Sequence, residues 1–343
     1  MAKESWYINE SELDDYQMQI VQRNLDSTFI VKGCAGSGKT VLAIWRAKEL
    51  EERGEDDYLV IVFTKALKQF ISDGINSIGI PSSKVLYHWE WVHRRNKQNA
   101  NYIIVDEAQD FDINELNELK NAARKHFVFF GDSAQQLYSG LSDKGRLLSP
   151  QDMAYEFRVE LTELVINHRL PKTIARVAEK VSNSGDPLEM RCKKEGASKP
   201  HIVECLNFEE QLDYIKDVIE AQRYTDVGIL VPNNAEFGKI EKYYDGIGFD
   251  AEYKNRSDMN LNFNNTLPNV MTYHSAKGLQ FETVFIPDCY VENEVNRNPL
   301  YVAITRSYRE VFILHSGNLS KFISKIDDSL FELHEEMSGD SPF

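Results

Sequence analysis

The sequence 33-GCAGSGKT-40 combines three glycines with a lysine and a threonine at a fixed spacing. Glycines let main-chain N–H groups line a tight concavity, which suits phosphate oxygens. In such a loop, Lys39 contacts the terminal phosphates of a nucleotide and the Thr40 hydroxyl ligates Mg²⁺. The spacing therefore predicts a loop that binds ATP and Mg²⁺, formed by Gly33, Cys34, Ala35, Gly36, Ser37, Gly38, Lys39 and Thr40.

Two adjacent carboxylates follow the apolar run of 102-YIIVDEAQDF-111. A buried strand ending there delivers Asp106 to the edge of a sheet, where it can hold Mg²⁺ through water. Glu107 is then placed to orient and deprotonate an attacking water molecule. The alternative is that the two carboxylates only begin a surface loop, and the phosphate loop upstream argues against it.

These residues need a scaffold of buried strands, and the apolar runs supply one. In the first half the runs are 28-TFIV-31, 58-YLVIVF-63, 102-YIIVD-106 and 127-FVFFG-131, separated by helical patterns. In the second half they are 201-HIVEC-205, 227-VGILV-231, 269-NVMTYH-274, 283-TVFIP-287 and 311-VFILH-315. Continuous apolar strands alternating with helices predict α/β domains with parallel sheets covered on both faces. We expect domains at residues 1–165 and 166–330, joined near 160–168 with a cleft between them, and an acidic tail at 331–343.

Composition favours a cytoplasmic protein and raises one objection to nucleic-acid binding. The 343 residues are 42% hydrophobic and 27% charged, with neither a signal peptide nor an apolar membrane span. The four cysteines lie far apart, which indicates reduced thiols. The net charge of −15 disfavours tight nonspecific binding to nucleic acid unless a local basic surface exists. The segment 93-HRRNK-97 is either part of such a surface or a solvated turn.

Taken with DEAQD, a series of short motifs resembles the UvrD/Rep/PcrA-like branch of superfamily 1 helicases, in the same order along the chain. The motifs are 13-LDDYQ-17, 62-VFTKA-66, 87-YHW-89, 131-GDSAQQLY-138, 167-NHR-169, 272-TYHSAKGLQF-281 and 300-LYVAITRS-307. The resemblance implies two tandem RecA-like domains with ATP in the cleft between them.

The resemblance also implies roles at the nucleotide. Gln17 would bind the adenine edge, and His168 would stack on the adenine where the family usually has tyrosine. Gln135 would sense the γ-phosphate. Gly278 and Gln280, two residues apart in one motif, would both belong to the nucleotide site, and Gln280 would bind a ribose hydroxyl where the family usually has glutamate. Two residues, Arg169 and Arg306, would act as arginine fingers that stabilise charge on the transferring phosphoryl group.

On the nucleic-acid side, the resemblance implies that Phe63 stacks on a base and that Thr64 contacts a phosphate. The remaining contacts with backbone, sugar or base would come from His88, Tyr138, Thr272 and His274. Two alternatives stay open: Phe63 could belong to the core, and His274 could be an interior histidine. The third motif ends 138-YSG-140 without the tryptophan that family members use as a base-stacking wedge.

These features predict an ATP-hydrolysing motor on single-stranded DNA, with 3′→5′ polarity inferred from the family alone. The alternative is an ATPase switch that senses nucleic acid and gates a protein partner, such as a nuclease in DNA repair or anti-phage defence. The net charge, the absent tryptophan and the short spacing between motifs, which leaves no room for the family's inserted accessory domains, favour the alternative. Phe63, Thr64 and His274 favour the motor. A nucleotide-binding protein without any nucleic-acid role is a third reading.

Overall fold

The computed structural model describes residues 12–75, 78–93, 97–135, 145–182, 184–185, 187–196, 198–253, 265–290 and 293–335. The chain divides into two compact units, with the boundary between His168 and Arg169. That boundary lies three residues beyond the predicted one, after residue 165. Each unit is built on its own parallel sheet, so the predicted α/β class with two parallel-sheet domains is confirmed.

The first unit contains a sheet of six strands among its described residues. The strands are β1 (Phe29–Gly33), β2 (Tyr58–Val62), β3 (Val85–Tyr87), β4 (Ala100–Val105), β5 (Ala123–Gly131) and β6 (Glu160–Leu164), and the helices are α1 (Asp15–Val21), α2 (Lys39–Glu52), α3 (Lys65–Ile75), α4 (His88–Val92), α5 (Ile113–Ala122) and α6 (Pro150–Phe157). The strand order is β3-β2-β4-β5-β1-β6, and all neighbours are parallel.

Both faces of this sheet are buried, which explains its continuous apolar strands. Phe29 and Val31 of β1 pack with residues of α2 and α3 on one face, whereas Ile30 packs on the other. The second face is covered by α5 and α6, through Leu116 and Met153 among others. Polar side chains cap these helices, Asp112 at α5 and Ser149 at α6, and fix where each helix begins.

The second unit repeats this design. Its main sheet comprises β9 (His201–Glu204), β10 (Val227–Val231), β11 (Glu252–Tyr253), β12 (Asn269–Thr272), β13 (Phe281–Ile286), β14 (Ser307–His315) and β15 (Glu332–Glu335), in the order β11-β12-β10-β13-β14-β9-β15. The helices are α7 (Lys172–Val181), α8 (Leu188–Arg191), α9 (Phe208–Gln222), α10 (Asn234–Ile247) and α11 (Arg297–Ile304). A separate two-stranded sheet joins β7 (Asn167–Pro171) to β8 (Cys192–Lys194).

Two predictions about the ends of domains are wrong. Residues 160–164, which we expected in the linker, form β6 and pair with β1. Residues 332–335, which we expected in an acidic tail, form β15 and pair with β9. Both are edge strands with mainly exposed or half-buried side chains. Main-chain hydrogen bonds to one neighbour hold such strands, so they carry no apolar run that a sequence pattern could detect. No helix in the described part of the chain combines the length and apolar character needed to cross a membrane.

Candidate nucleotide site and the residues around it

The phosphate loop connects β1 to α2, as its sequence predicted, and its glycines are required by geometry. Gly36 and Gly38 have φ values of 73° and 87°, in the left-handed region that favours glycine. A Cβ atom on Gly33 would lie 2.3 Å from the Ser37 Oγ atom, and one on Gly38 would lie 2.5 Å from Gln17 Nε2. Substitution of any of these three glycines would therefore distort the loop.

Two side chains of the loop fit a phosphate ligand. The Lys39 ammonium donates to the Gly33 and Cys34 carbonyl oxygens, both at 2.9 Å, and lies 3.8 Å from Asp132 Oδ2. The Ser37 Oγ atom is buried without a hydrogen-bond partner among the described residues. A buried hydroxyl is costly without a partner, and a phosphate oxygen would provide one. The loop thus has both the cation and the donor that a nucleotide's phosphates need.

The predicted magnesium ligands are neighbours. Thr40 Oγ1 donates to Asp106 Oδ2 at 2.5 Å, and Asp106 Oδ1 accepts from the Glu107 main-chain N–H at 3.0 Å. Burial, together with the adjacent Glu107 carboxylate, raises the pKa of Asp106 to about 6. A hydroxyl and a carboxylate side by side form the oxygen-rich ligand set that suits Mg²⁺.

Glu107 has a strained main-chain conformation, and a hydrogen bond holds its side chain in place. Its φ of 55° is in the left-handed region, which is uncommon for a residue other than glycine and is often found at functional sites. Its carboxylate accepts from Gln109 Nε2 at 2.6 Å. Gln109 Oε1 in turn accepts from the Asp132 main-chain N–H at 2.9 Å, and Gln135 Nε2 donates to Asp132 Oδ2 at 2.7 Å.

A continuous chain of buried polar groups therefore runs from Glu107 through Gln109 and Asp132 to Gln135. Asp132 also lies beside Lys39 of the phosphate loop. Sequence reasoning had singled out Glu107 and Gln135 but missed Gln109 and Asp132. Both stand inside quoted motifs, at the ends of β4 and β5, and neighbouring parallel strands bring their carboxyl ends together.

Gln17 and His168 border the same loop. Gln17 is buried, with Nε2 donating to the Ser37 carbonyl oxygen at 3.1 Å and Oε1 accepting from the Asp14 N–H at 3.0 Å. The His168 ring is hydrogen-bonded to the Asp14 carboxylate, and its main-chain N–H donates to Gly36 O at 3.1 Å. The sequence motif of Gln17 and that of His168 are thus both attached to the phosphate loop.

Phe63 does not present its ring to solvent, and the expectation that it stacks on a base is corrected. The side chain is 8% exposed within a core cluster. The Phe63 ring stacks on His88, with 5.0 Å between centroids, and meets Phe111 edge-on at 5.2 Å. His88 is fixed further by Glu115, 2.6 Å from its Nε2 atom. The core alternative was therefore right for Phe63.

An exposed aromatic residue lies next to this cluster instead. Trp89, in α4 and the last residue of the histidine motif, is 58% exposed and packs against the His93 ring at 4.4 Å. Sequence reasoning quoted Trp89 within the motif without assigning it a role. Thr64, at the start of α3, accepts from the Leu67 N–H at 3.1 Å and so begins that helix. Tyr138 lies outside the described residues.

In the second unit, the two predicted arginine fingers meet at Thr305. Arg169 Nη2 donates to the Thr305 carbonyl oxygen at 2.8 Å. Arg306 is buried, and its guanidinium donates to Val302 O at 3.0 Å, Leu279 O at 3.4 Å and Thr305 Oγ1 at 3.2 Å. Arg306 thereby connects the last two motifs of the chain, and these acceptors offset the cost of burying its charge.

The other predicted residues of this unit lie between the last residue of β12 and the first of β13. Thr272 Oγ1 donates to Ser275 Oγ at 3.1 Å, and Gly278 has a φ of 83° that requires glycine. His274 is half-buried; burial, and next the charge of Lys277, lower its pKa. Gln280, also half-buried, directly precedes β13. The turn thus brings Thr272, His274 and Gly278 into one short segment.

Comparison with known proteins agrees with this architecture. Residues 12–190, more than half of the chain, match the family described as AAA domain, and residues 269–314 match the UvrD-like helicase C-terminal domain. A protein of Acanthamoeba polyphaga mimivirus, R568, provisionally named an ATP-dependent DNA helicase, is 24% identical over 315 residues. That alignment includes 80% of this chain and 41% of the relative, so the chain spans less than half of the relative's length.

Solved helicase structures are more distant. The C-terminal domain of a possible DNA helicase from Lactobacillus plantarum WCFS1 matches 48% of this chain and 98% of its own, with 21% identity and a TM-score of 0.39. The PRRSV helicase matches 93% of this chain and 57% of its own, with 15% identity and a TM-score of 0.45. All these TM-scores are below 0.5, so the family assignment rests on the sequence matches.

The fold and the phosphate loop define a P-loop protein of the AAA-domain family. Residues 269–314 are in addition similar to the UvrD-like helicase C-terminal domain, which agrees with the resemblance seen in the order of the motifs.

Proposed function

We propose that the protein hydrolyses ATP to move along single-stranded DNA, with 3′→5′ polarity. The observation that carries the ATPase part is the buried polar chain from Glu107 to Gln135, with Lys39 beside it. Such a chain couples a carboxylate that can act as a base to a glutamine that can respond to the terminal phosphate. The polarity follows from the family resemblance alone.

The residues divide the chemistry among them. Lys39 and the loop N–H groups would bind the phosphates, and Thr40 and Asp106 would hold Mg²⁺, which supplies charge neutralisation on the phosphate oxygens. Glu107, whose carboxylate Gln109 holds in orientation, would accept a proton from the attacking water. Arg169 and Arg306 would stabilise the charge that develops on the transferring group. Gln17, His168 and Gln280 would bind the adenosine.

The nucleic-acid part rests on the polar groups that the resemblance assigns to it and on one exposed ring. Thr64, His88, Thr272, His274 and Tyr138 remain proposed contacts. Trp89 replaces Phe63 as the proposed stacking ring, because its side chain is exposed and Phe63 is buried. Stacking on an aromatic ring is tolerant of sequence, which suits a motor that must pass every base.

Two measurements test this proposal. The first is ATP turnover with and without single-stranded DNA or RNA, and the second is displacement of a probe from the end of a labelled strand. Lys39→Ala should abolish nucleotide binding or turnover, and Glu107→Gln should retain ATP binding without hydrolysis. Lys125→Ala, which changes a lysine exposed on β5, is the matched control and should behave like the wild type. Near wild-type turnover by Glu107→Gln would remove Glu107 as the base. An ATPase indifferent to nucleic acid would remove the motor.

A second candidate is an ATPase switch that senses single strands and gates a protein partner, such as a nuclease in DNA repair or anti-phage defence. The net charge of −15 favours it, because an acidic protein holds a phosphate backbone weakly. The two functions differ in one measurement. A switch changes its affinity for DNA with the bound nucleotide but never displaces the labelled end, whereas a motor does both.

A further inference from the structure

Three potential metal ligands meet at one edge of the second sheet, remote in sequence from the nucleotide motifs. Strand β15 pairs with β9 in parallel, with Glu332 opposite His201 and His334 opposite Val203. Because side chains alternate between faces along a strand, Glu332 and His334 lie on the same face as His201 and Val203. The pairing of β15 therefore brings residues 201, 332 and 334 together.

The distances among their donor atoms match a shared ion. His201 Nδ1 lies 2.9 Å from His334 Nε2 and 3.4 Å from Glu332 Oε2. One donor atom from each of the three residues lies within 4.8 Å of the others. Ligand atoms at about 2.1 Å from a tetrahedral zinc ion are about 3.4 Å apart, which is the same range. Two imidazoles and one carboxylate also form a ligand set that zinc accepts.

The surroundings hold one ligand firmly and leave the others open to solvent. The His201 ring is 9% exposed and stacks on Phe312 of β14, with 4.2 Å between centroids and 8° between the planes. Glu332 and His334 are exposed on the edge strand. Two exposed side chains beside a buried, stacked imidazole can close on an ion with little rearrangement.

We propose that His201, Glu332 and His334 bind one Zn²⁺ ion, with the remaining position taken by water. The ion ties β15 to β9, so its effect is to stabilise the last described strand of the second unit. It does not take part in ATP hydrolysis. The four cysteines, which would otherwise compete for zinc, are all buried.

The test is titration of the tag-free chain, residues 1–343, with Zn²⁺ by isothermal calorimetry, in excess Mg²⁺ to block the oxygen ligands at Asp106. We expect one equivalent of zinc bound at micromolar concentration. With zinc bound, the amides of residues 332–335 should exchange their hydrogens more slowly. Thermal unfolding should show a higher Tm. The protein should lose both effects when zinc is removed with a chelator.

Three variants make the assignment specific. His334→Ala changes an exposed side chain and should abolish the equivalent, and Glu332→Gln should weaken zinc binding at least tenfold. His93→Ala removes an exposed histidine from the first unit and should leave zinc binding unchanged. Equal zinc binding by wild type and His334→Ala, or an absence of binding at micromolar zinc, overturns the proposal. These outcomes are independent of ATPase activity, so failure of the proposed function does not affect them.

Discussion

Gln109 joins Glu107 to Asp132: its Nε2 donates to the Glu107 carboxylate at 2.6 Å, and its Oε1 accepts from the Asp132 N–H at 2.9 Å. A single amide thus fixes the relative positions of two motif-bearing loops. The fit is tight, because a Cβ atom on Gly131 would lie 3.1 Å from Gln109 Oε1. Gln109 is a positioning residue, since it touches the proposed base rather than the nucleotide.

The first prediction follows from that role. Gln109→Ala should lower kcat for ATP by about 10²-fold, because a misplaced base costs about that much, with KM changed little. Gln151→Ala, at an exposed site in α6, is the control and should match the wild type. A fall in kcat/KM that comes entirely from KM would show that Gln109 supports nucleotide binding instead.

The second prediction concerns Asp106, whose pKa burial and Glu107 raise to about 6, above the value of 3.8 for an unperturbed aspartate. The folded protein therefore holds this proton more tightly than the unfolded chain does. Stability from this group is complete below pH 3.8 and is lost as the pH rises through about 6. In EDTA and without nucleotide, the Tm gain of Asp106→Asn over wild type should be larger at about pH 8 than at about pH 5.

Asp217→Asn serves as the comparison for that experiment, because Asp217 is exposed on α9. Its Tm difference from wild type should be similar at both pH values. If the Tm difference of Asp106→Asn does not grow with pH, the raised pKa is wrong.

The third prediction separates the two arginines. Arg169→Ala should slow hydrolysis by about 10³-fold and leave ATP affinity less affected, as expected of an arginine finger. Arg306→Ala also removes three hydrogen bonds within its own unit, so it should lower the Tm as well. Arg176→Ala, on the exposed part of α7, should change neither property. Equal loss of affinity and rate in Arg169→Ala would indicate ground-state binding.

The fourth prediction contrasts two aromatic residues near the histidine motif. Trp89→Ala should weaken binding of single-stranded DNA by about tenfold, because stacking on one base contributes about 1–3 kcal/mol. Phe63→Ala should instead lower the free energy of unfolding by about 3–5 kcal/mol, since the ring lies in the core. Fluorescence anisotropy with a labelled oligonucleotide measures the first effect, and chemical denaturation measures the second.

Tyr155→Ala is the matched control for Trp89, because Tyr155 is an exposed aromatic residue on α6, 87% accessible. It should bind DNA like the wild type. Unchanged DNA affinity in Trp89→Ala would exclude that ring as a stacking platform.

The sequence predicted the fold well where strands are buried. The apolar runs of β1, β4 and β10 led to the correct parallel sheets. The motifs after β1 and β4 predicted that Thr40 and Asp106 share one site, and the two side chains are hydrogen-bonded. Each of these residues had a local signal, either a fixed spacing or a position directly after a strand.

Other features had no such signal. Gln109 and Asp132 meet only because β4 and β5 are adjacent in the sheet, and neither motif indicates which strands are neighbours. Phe63 directly follows the buried strand β2, a position equally compatible with a core ring and with an exposed one. The pairing of β15 with β9 depends on main-chain hydrogen bonds, which side-chain patterns do not reveal.

The last prediction concerns the work done with ATP. Separating strands requires a grip on the duplex while each base pair is broken, and stacking resists by about 1.4 kcal/mol per step. Only residues 90–99 lie between the histidine motif and β4, the strand that leads to DEAQD, so an inserted duplex-binding domain has no room there. The motif ending 138-YSG-140 also lacks a tryptophan wedge.

We therefore expect an ATPase that single strands stimulate but that unwinds little or none of a duplex of about 20 base pairs. The net charge of −15 should make DNA binding fall steeply with salt, so slippage exceeds stepping at near-physiological ionic strength. A gel assay with a labelled duplex that bears a single-stranded end measures unwinding. Displacement of the end probe from the same single strand, without the duplex, measures translocation. A protein partner that grips duplex should restore unwinding. Robust strand separation by this chain alone would show that it needs neither the inserted domains nor the tryptophan.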